Sequence, residues 1–140
     1  MKPWEKAREL LTSGGYTCVL CLGETVLCSR ERGVKPLLGW LDSGKVEVGF
    51  SAADKVVGRA AAFLYVLLGA SEVYADIMSE PAREVLMAHG VLCEAHQTVP
   101  AIRNRAGDGF CPMESAVRDI SDPVEALDAI RETLRRLASK

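Results

Sequence analysis

Ser79-Glu80-Pro81-Ala82-Arg83-Glu84-Val85 is the stretch on which the reading of this chain turns. It follows a short apolar run, Val73 to Met78, and opens a segment that ends at Gly90. The apolar run has the length and composition of a buried strand. Ser79 suits an N-cap, Pro81 sits in the first helical turn, and Gly90 marks the stop. The stretch is therefore read as a strand running directly into a helix, from Glu80 to Ala88. That unit asks for an α/β fold with parallel strands.

Working outward, Pro3 to Thr12 has Trp4, Ala7, Leu10 and Leu11 at helical spacing, with Gly14 beyond. Tyr16 to Leu22 and Thr25 to Ser29 read as a hairpin joined by Gly23-Glu24. Val34 to Leu41 reads as a short helix with Pro36 in its first turn, while Val46 to Phe50 fits strand or loop. Ser51 and Asp54 resemble a capping box, so Ala52 to Leu68 is read as one long buried helix. Val91 to Ala95 and Val99 to Ile102 are read as two further strands. A Gly-rich loop, Arg105 to Gly109, leads to a helix beginning near Cys111 or Pro112. Asp122-Pro123 opens the final amphipathic helix, to about Leu137. The expected architecture is a single-domain, three-layer α/β/α sandwich with a mixed sheet.

The 140 residues, 49% hydrophobic, are enough for one domain with one core. A formal charge of −2 argues against nucleic-acid binding, which wants a basic stripe. No apolar run is long enough to span a membrane, and no apolar signal core follows Met1-Lys2-Pro3, so a cytoplasmic protein is expected. The five cysteines are an odd number, which suits reduced thiols better than a disulfide framework.

The order of elements resembles the cytidine-deaminase-like fold. In that fold two helices present zinc ligands from their N-termini, one with His-x-Glu or Cys-x-Glu and the other with Pro-Cys-x-x-Cys. The matching helices here are placed near Asp54 and Ser79. Pro81 remains, but Ala82 and Val85 stand at the cysteine positions, and Asp54-Lys55-Val56-Val57-Gly58-Arg59 offers no ligand or proton-shuttling Glu. Four stretches also resemble the DUF1893 family of uncharacterised prokaryotic proteins. They are Gly-Val-Lys-Pro-Leu-Leu (33–38), Asp-Lys-Val-Val-Gly-Arg-Ala-Ala-Ala (54–62), Val-Tyr-Ala-x-x-Met-Ser-Glu-Pro-Ala (73–82) and Asn-Arg-Ala-Gly-Asp-Gly-Phe-Cys-Pro-Met-Glu (104–114). The resemblance implies a deaminase-like fold without its zinc site, no metal or other cofactor, and no established reaction.

The candidate functional residues follow from that placement. Asn104, Arg105 and Asp108 bring polar groups to a loop whose Gly107 and Gly109 allow close backbone approach to a ligand. Cys111 stands at a helix start, where free N–H groups favour a thiolate or a bound anion. The same residues also fit a plain capped turn around a small apolar thiol. Lys55, beside Asp54 and Gly58, has the charge to replace a lost cation, and Lys35 has the charge to hold an oxyanion. Ser79 and Glu80 begin the second ligand helix, with Ser79 capping it and Glu80 as an acid facing the pocket. The leading expectation is a small anionic or nucleotide-like ligand held where helix N-termini converge. An enzyme with Cys111 as nucleophile and Glu80, Glu114 or Asp108 as proton-transfer partner is the second, and a homo-oligomeric structural protein the third. Cys18 and Cys21 lie three apart on a strand and so face opposite sides. Cys93, His96 and His89 lack a second ligand-rich half for a metal site.

Overall fold

The computed structural model describes residues 2–103, 109 and 111–139. Five strands form one mixed sheet in the order β2-β1-β3-β4-β5. The hairpin of β1 (Cys18–Leu22) and β2 (Thr25–Ser29) pairs antiparallel, as does β1 with β3 (Ser51–Val57). From β3 the sense changes, and β4 (Glu72–Ser79) and β5 (Leu92–Val99) continue in parallel. Right-handed helical crossovers are what parallel neighbours require, and α3 (Arg59–Leu68) and α4 (Glu80–Ala88) supply the two connections.

The layers are unequal. Among the described residues, one helix, α1 (Pro3–Gly14), covers one face, where Ala7 and Leu11 pack on Val19, Cys21, Ala53 and Tyr74. The opposite face carries α2 (Lys35–Ser43), α3, α4, α5 (Pro112–Val117) and α6 (Pro123–Ala138). α3 lies in the middle of that layer, against α2, α4, α5 and α6. Seven of its ten residues are buried, among them Phe63, Leu64 and Tyr65. Cys18 belongs to the larger core and Cys21 to the smaller, as strand alternation requires. No helix among the described residues is long and apolar enough to cross a membrane.

Two segments differ from the reading of the sequence. Ser51 to Val57 is a central strand, and the helix behind it begins only at Arg59. A strand between two others, covered on both faces, reads as a continuous apolar run with no alternation, so Ala52 and Ala53 are equally good helix formers on paper. The supposed capping box does not exist: the Ser51 hydroxyl donates to Glu72 across to β4, at 2.6 Å. The second difference is β5, which is one strand where two shorter ones were expected. Gln97 and Thr98 interrupt its apolar character, but β5 is at the edge of the sheet, where polar side chains meet water. Val46 to Phe50 is loop and turn.

Candidate functional site

The three parallel strands end at one rim of the sheet, and a cleft of about 730 Å³ opens there beside the carboxyl end of β3. This is where the sheet changes from antiparallel to parallel pairing. In open α/β sheets ligands bind outside the carboxyl ends of strands, at such changes of connectivity. The walls come from the starts of β1, α3 and α5 and from the segment after β2.

Asp54 is the floor. It is 8% exposed, and its carboxylate accepts the Tyr65 hydroxyl at Oδ2 (2.6 Å) and the Val56 N–H at Oδ1 (3.3 Å). The Cys18 thiol lies 3.0 Å from the same Tyr65 oxygen. Burial raises the Asp54 carboxyl to about 6, against the lowering effect of the Tyr65 and Val56 hydrogen bonds. Burial also raises Tyr65 and Cys18, and the adjacent Asp54 charge adds to both shifts. The phenol and thiol are therefore neutral at physiological pH, and any negative charge in this trio rests on Asp54. A carboxylate has about four acceptor positions. The Cys18 thiol and the Lys55 backbone N–H add further hydrogen bonds to it, and Asp54 lines the cleft.

Above the floor, the start of α3 is closed by a remote side chain. Glu114 accepts the Arg59 N–H at Oε1 (2.6 Å) and the Ala60 N–H at Oε2 (2.9 Å). A Cβ at Gly58 would collide with that carboxylate, so glycine is what lets Glu114 reach the helix end. Gly58 has an ordinary extended backbone, which makes the requirement purely one of space. The Arg59 guanidinium completes the clamp, donating to the Val117 carbonyl at 3.0 Å and to the Ile120 carbonyl, and lying over the Phe63 ring. Negative charge at a helix N-terminus is stabilising, and here the protein supplies it.

Five expected residues thus meet on one cleft: Asp54, Lys55, Gly58, Cys111 and Glu114. Their parts differ from those the sequence suggested. Asp54 is a buried strand residue, not an exposed helix start. Lys55 is half exposed, with Nζ 3.6 Å from Asp76 on β4. Cys111 is half-buried at the N-cap of a six-residue helix, and its N–H donates to the Ile102 carbonyl at 3.3 Å. Ser79 is buried and caps α4, accepting the Ala82 N–H at 3.1 Å. Glu80 is exposed, and neither it nor Ser79 borders the cleft. Lys35 is exposed at the first position of α2, while its neighbours Val34 and Pro36 line the cleft. Gly109 is a half-buried bend. Asn104, Arg105, Gly107 and Asp108 lie outside the described residues.

The expectation of three converging helix tips with unmet amides is therefore corrected. Glu114 takes the first amides of α3 and Ser79 takes one at α4. Ala82 and Val85 are buried in the apolar core, and neither side chain can ligate a metal. Among the described residues no three His, Cys, Asp or Glu side chains form a metal-holding group. Tyr65, Cys18 and Arg59 were not legible as site residues. Their only signal was chemical: a phenol and a guanidinium within a helix that is otherwise apolar.

Residues 6–134 match TM1506, a domain of unknown function (DUF1893). The chain is also similar to the crystal structure of a DUF1893 family protein (TM1506) from Thermotoga maritima, with a TM-score of 0.83 and 21% identity over 96% of this chain and 89% of that one. At that identity the likeness carries the fold alone. No match was found among curated proteins.

Proposed function

Because the chain belongs to the DUF1893 family, whose description names no reaction, we propose a role from the cleft itself: it binds a small, largely apolar molecule that donates a hydrogen bond to Asp54. The observation that carries this reading is a carboxyl group more than nine-tenths buried that lines an open cleft, where a bound molecule can reach it. Burying a carboxylate is costly, and a ligand N–H that replaces the weak thiol or a long backbone contact offsets part of that cost. Ligand sites are typically apolar clefts of roughly 300–1,000 Å³ with a few placed polar groups, and this cleft falls within that range.

The chemistry favours a nitrogen heterocycle of nucleobase type. A bare anion would face the Asp54 charge and find the α3 amides already given to Glu114. A phosphate or carboxylate carried by the heterocycle would lie at the rim, toward Arg32 and Lys55. The test is thermal unfolding with separate panels of nucleobases, nucleosides, nucleotides and inorganic phosphate. A heterocycle at 100 times its dissociation constant should stabilise the protein by about 2.7 kcal/mol, and Asp54→Asn should remove that gain. Stabilisation by phosphate alone, or no shift from any heterocycle, would sink the reading.

A covalent role for Cys111 draws support from its thiol lying on the wall of this cleft. Iodoacetamide labelling as a function of pH separates it from simple binding. A Cys111 no more reactive near neutrality than a free thiol would exclude it.

A further inference from the structure

The sheet ends on β5, eight residues long, whereas the opposite edge strand β2 has five. Leu92 donates its N–H to the Ser71 carbonyl, on the β4 side. Along a strand the backbone groups of successive residues alternate in direction. Those of Leu92, Glu94, His96 and Thr98 therefore point to β4, and those of Cys93, Ala95 and Gln97 point away from the sheet. Among the described residues no strand lies beyond them. Edge strands are ordinarily blunted by Pro, Lys, bulges or shortness. β5 contains neither Pro nor Lys and stays in register with β4 from Leu92 to Val99, and its Leu92 is 70% exposed.

We propose that a second copy of this chain docks on this edge, β5 antiparallel to β5, about a two-fold axis through Ala95. The register follows from parity. Outward backbone groups must meet outward groups, so the axis passes through a residue of β5 and not between two of them. Axes at Ala95 and His96 give the longest overlap, and the Ala95 axis sets Ala95 facing Ala95 of the second copy and Cys93 facing Gln97 of the second copy. Glu94 then stands opposite His96 of the second copy, and His96 opposite Glu94. These are non-hydrogen-bonded positions, where side chains of an antiparallel pair come closest. An axis at Cys93 would set Glu94 against Leu92, and one at Gln97 would set His96 against Thr98. An axis at Glu94 would set that residue against itself, and one at His96 likewise; only the Ala95 register places the Glu94 carboxylate against the His96 imidazole, and it also covers the exposed Leu92 with Thr98. The result is a self-complementary two-fold interface joining two five-stranded sheets into one.

Light scattering on chromatographed protein tests this. The wild type should have the mass of two 15.1 kDa chains. Gln97→Pro removes only an outward N–H and should give a monomer with an unchanged circular dichroism spectrum. Glu94→Lys places lysine opposite histidine and should weaken the dimer, and Glu94→Lys combined with His96→Glu should restore it. A wild type that is monomeric at millimolar concentration overturns the proposal. So does a dimer that persists in folded Gln97→Pro, or one indifferent to the single charge reversal. If Gln97→Pro fails to fold, loss in Glu94→Lys and recovery in the double variant decide the matter.

Discussion

Two strand-to-helix units stand side by side in this molecule, parallel and in register, and they are finished by different means. In β4–α4 the helix is capped by the last residue of its own strand, Ser79, and Ala82 and Val85 behind it are ordinary core. In β3–α3 the helix is capped from 55 residues away by Glu114, with Gly58 left bare to admit it. The strands differ in the same sense: Asp54 on β3 is aligned with Ala75 on β4. One unit satisfies its polar groups locally and fills its interior with carbon. The other depends on distant partners and keeps a buried acid facing a cleft. The cleft proposed as a ligand site belongs to the second of these units, β3–α3.

The largest expected effect tests the acid. Burial lifts Asp54 to about 6, so the folded protein retains a proton that the unfolded chain, at about 3.9, has released. The contribution of this group to stability is present below about pH 4, declines as pH rises toward 6, and stays lost above it. The full change is about 3 kcal/mol. Asp54→Asn has no such titration. Urea unfolding of both proteins should therefore show the stability of the wild type falling relative to the variant by that amount between pH 3.5 and 7. A constant difference would mean that Asp54 is no more demanding than Ala75 beside it.

Next comes the remote cap. Glu114→Ala leaves the Arg59 and Ala60 amides without their charged acceptor and should cost about 2–3 kcal/mol. Gly58→Ala should cost about 1–3 kcal/mol by overpacking, but far less in a Glu114→Ala background, where the colliding carboxylate is gone. Additive costs in that double-mutant cycle would show that the two residues do not share the space assigned to them. The local cap gives the smallest effect: Ser79→Ala should cost about 1 kcal/mol. If it cost more than Glu114→Ala, the contrast between local and remote capping would be reversed.

The same contrast explains what could be read from the sequence. The β4–α4 unit is written in neighbouring residues, an apolar run followed by Ser79 and Pro81, and its limits were legible almost to the residue. β3 was not, because a doubly covered strand shows no alternation and its alanines suit a helix equally well. Gly58 is the usable sign, since it parts strand from helix. Asp54, Lys55, Gly58, Cys111 and Glu114 were singled out and do share a cleft, although Asp54 had been assigned to the wrong element. The Cys18–Tyr65–Asp54 contacts were invisible, because nothing in a linear sequence brings residues 18, 54 and 65 together before the sheet order is known. Lys35, Ser79 and Glu80 were chosen for residue type and helix position, and neither criterion says which way a side chain faces.

The distance in sequence between α3 and its cap bears on how the chain is made. During translation all of α3 leaves the ribosome while Glu114, Val117 and Ile120, the residues that hold Arg59 and its neighbouring amide, have yet to be added. A domain folds as a unit, so α3 cannot be closed at its start before α5 has been made. Closure of the middle of the molecule waits for α5, and a synthesis product that stops short of residue 114 never achieves it.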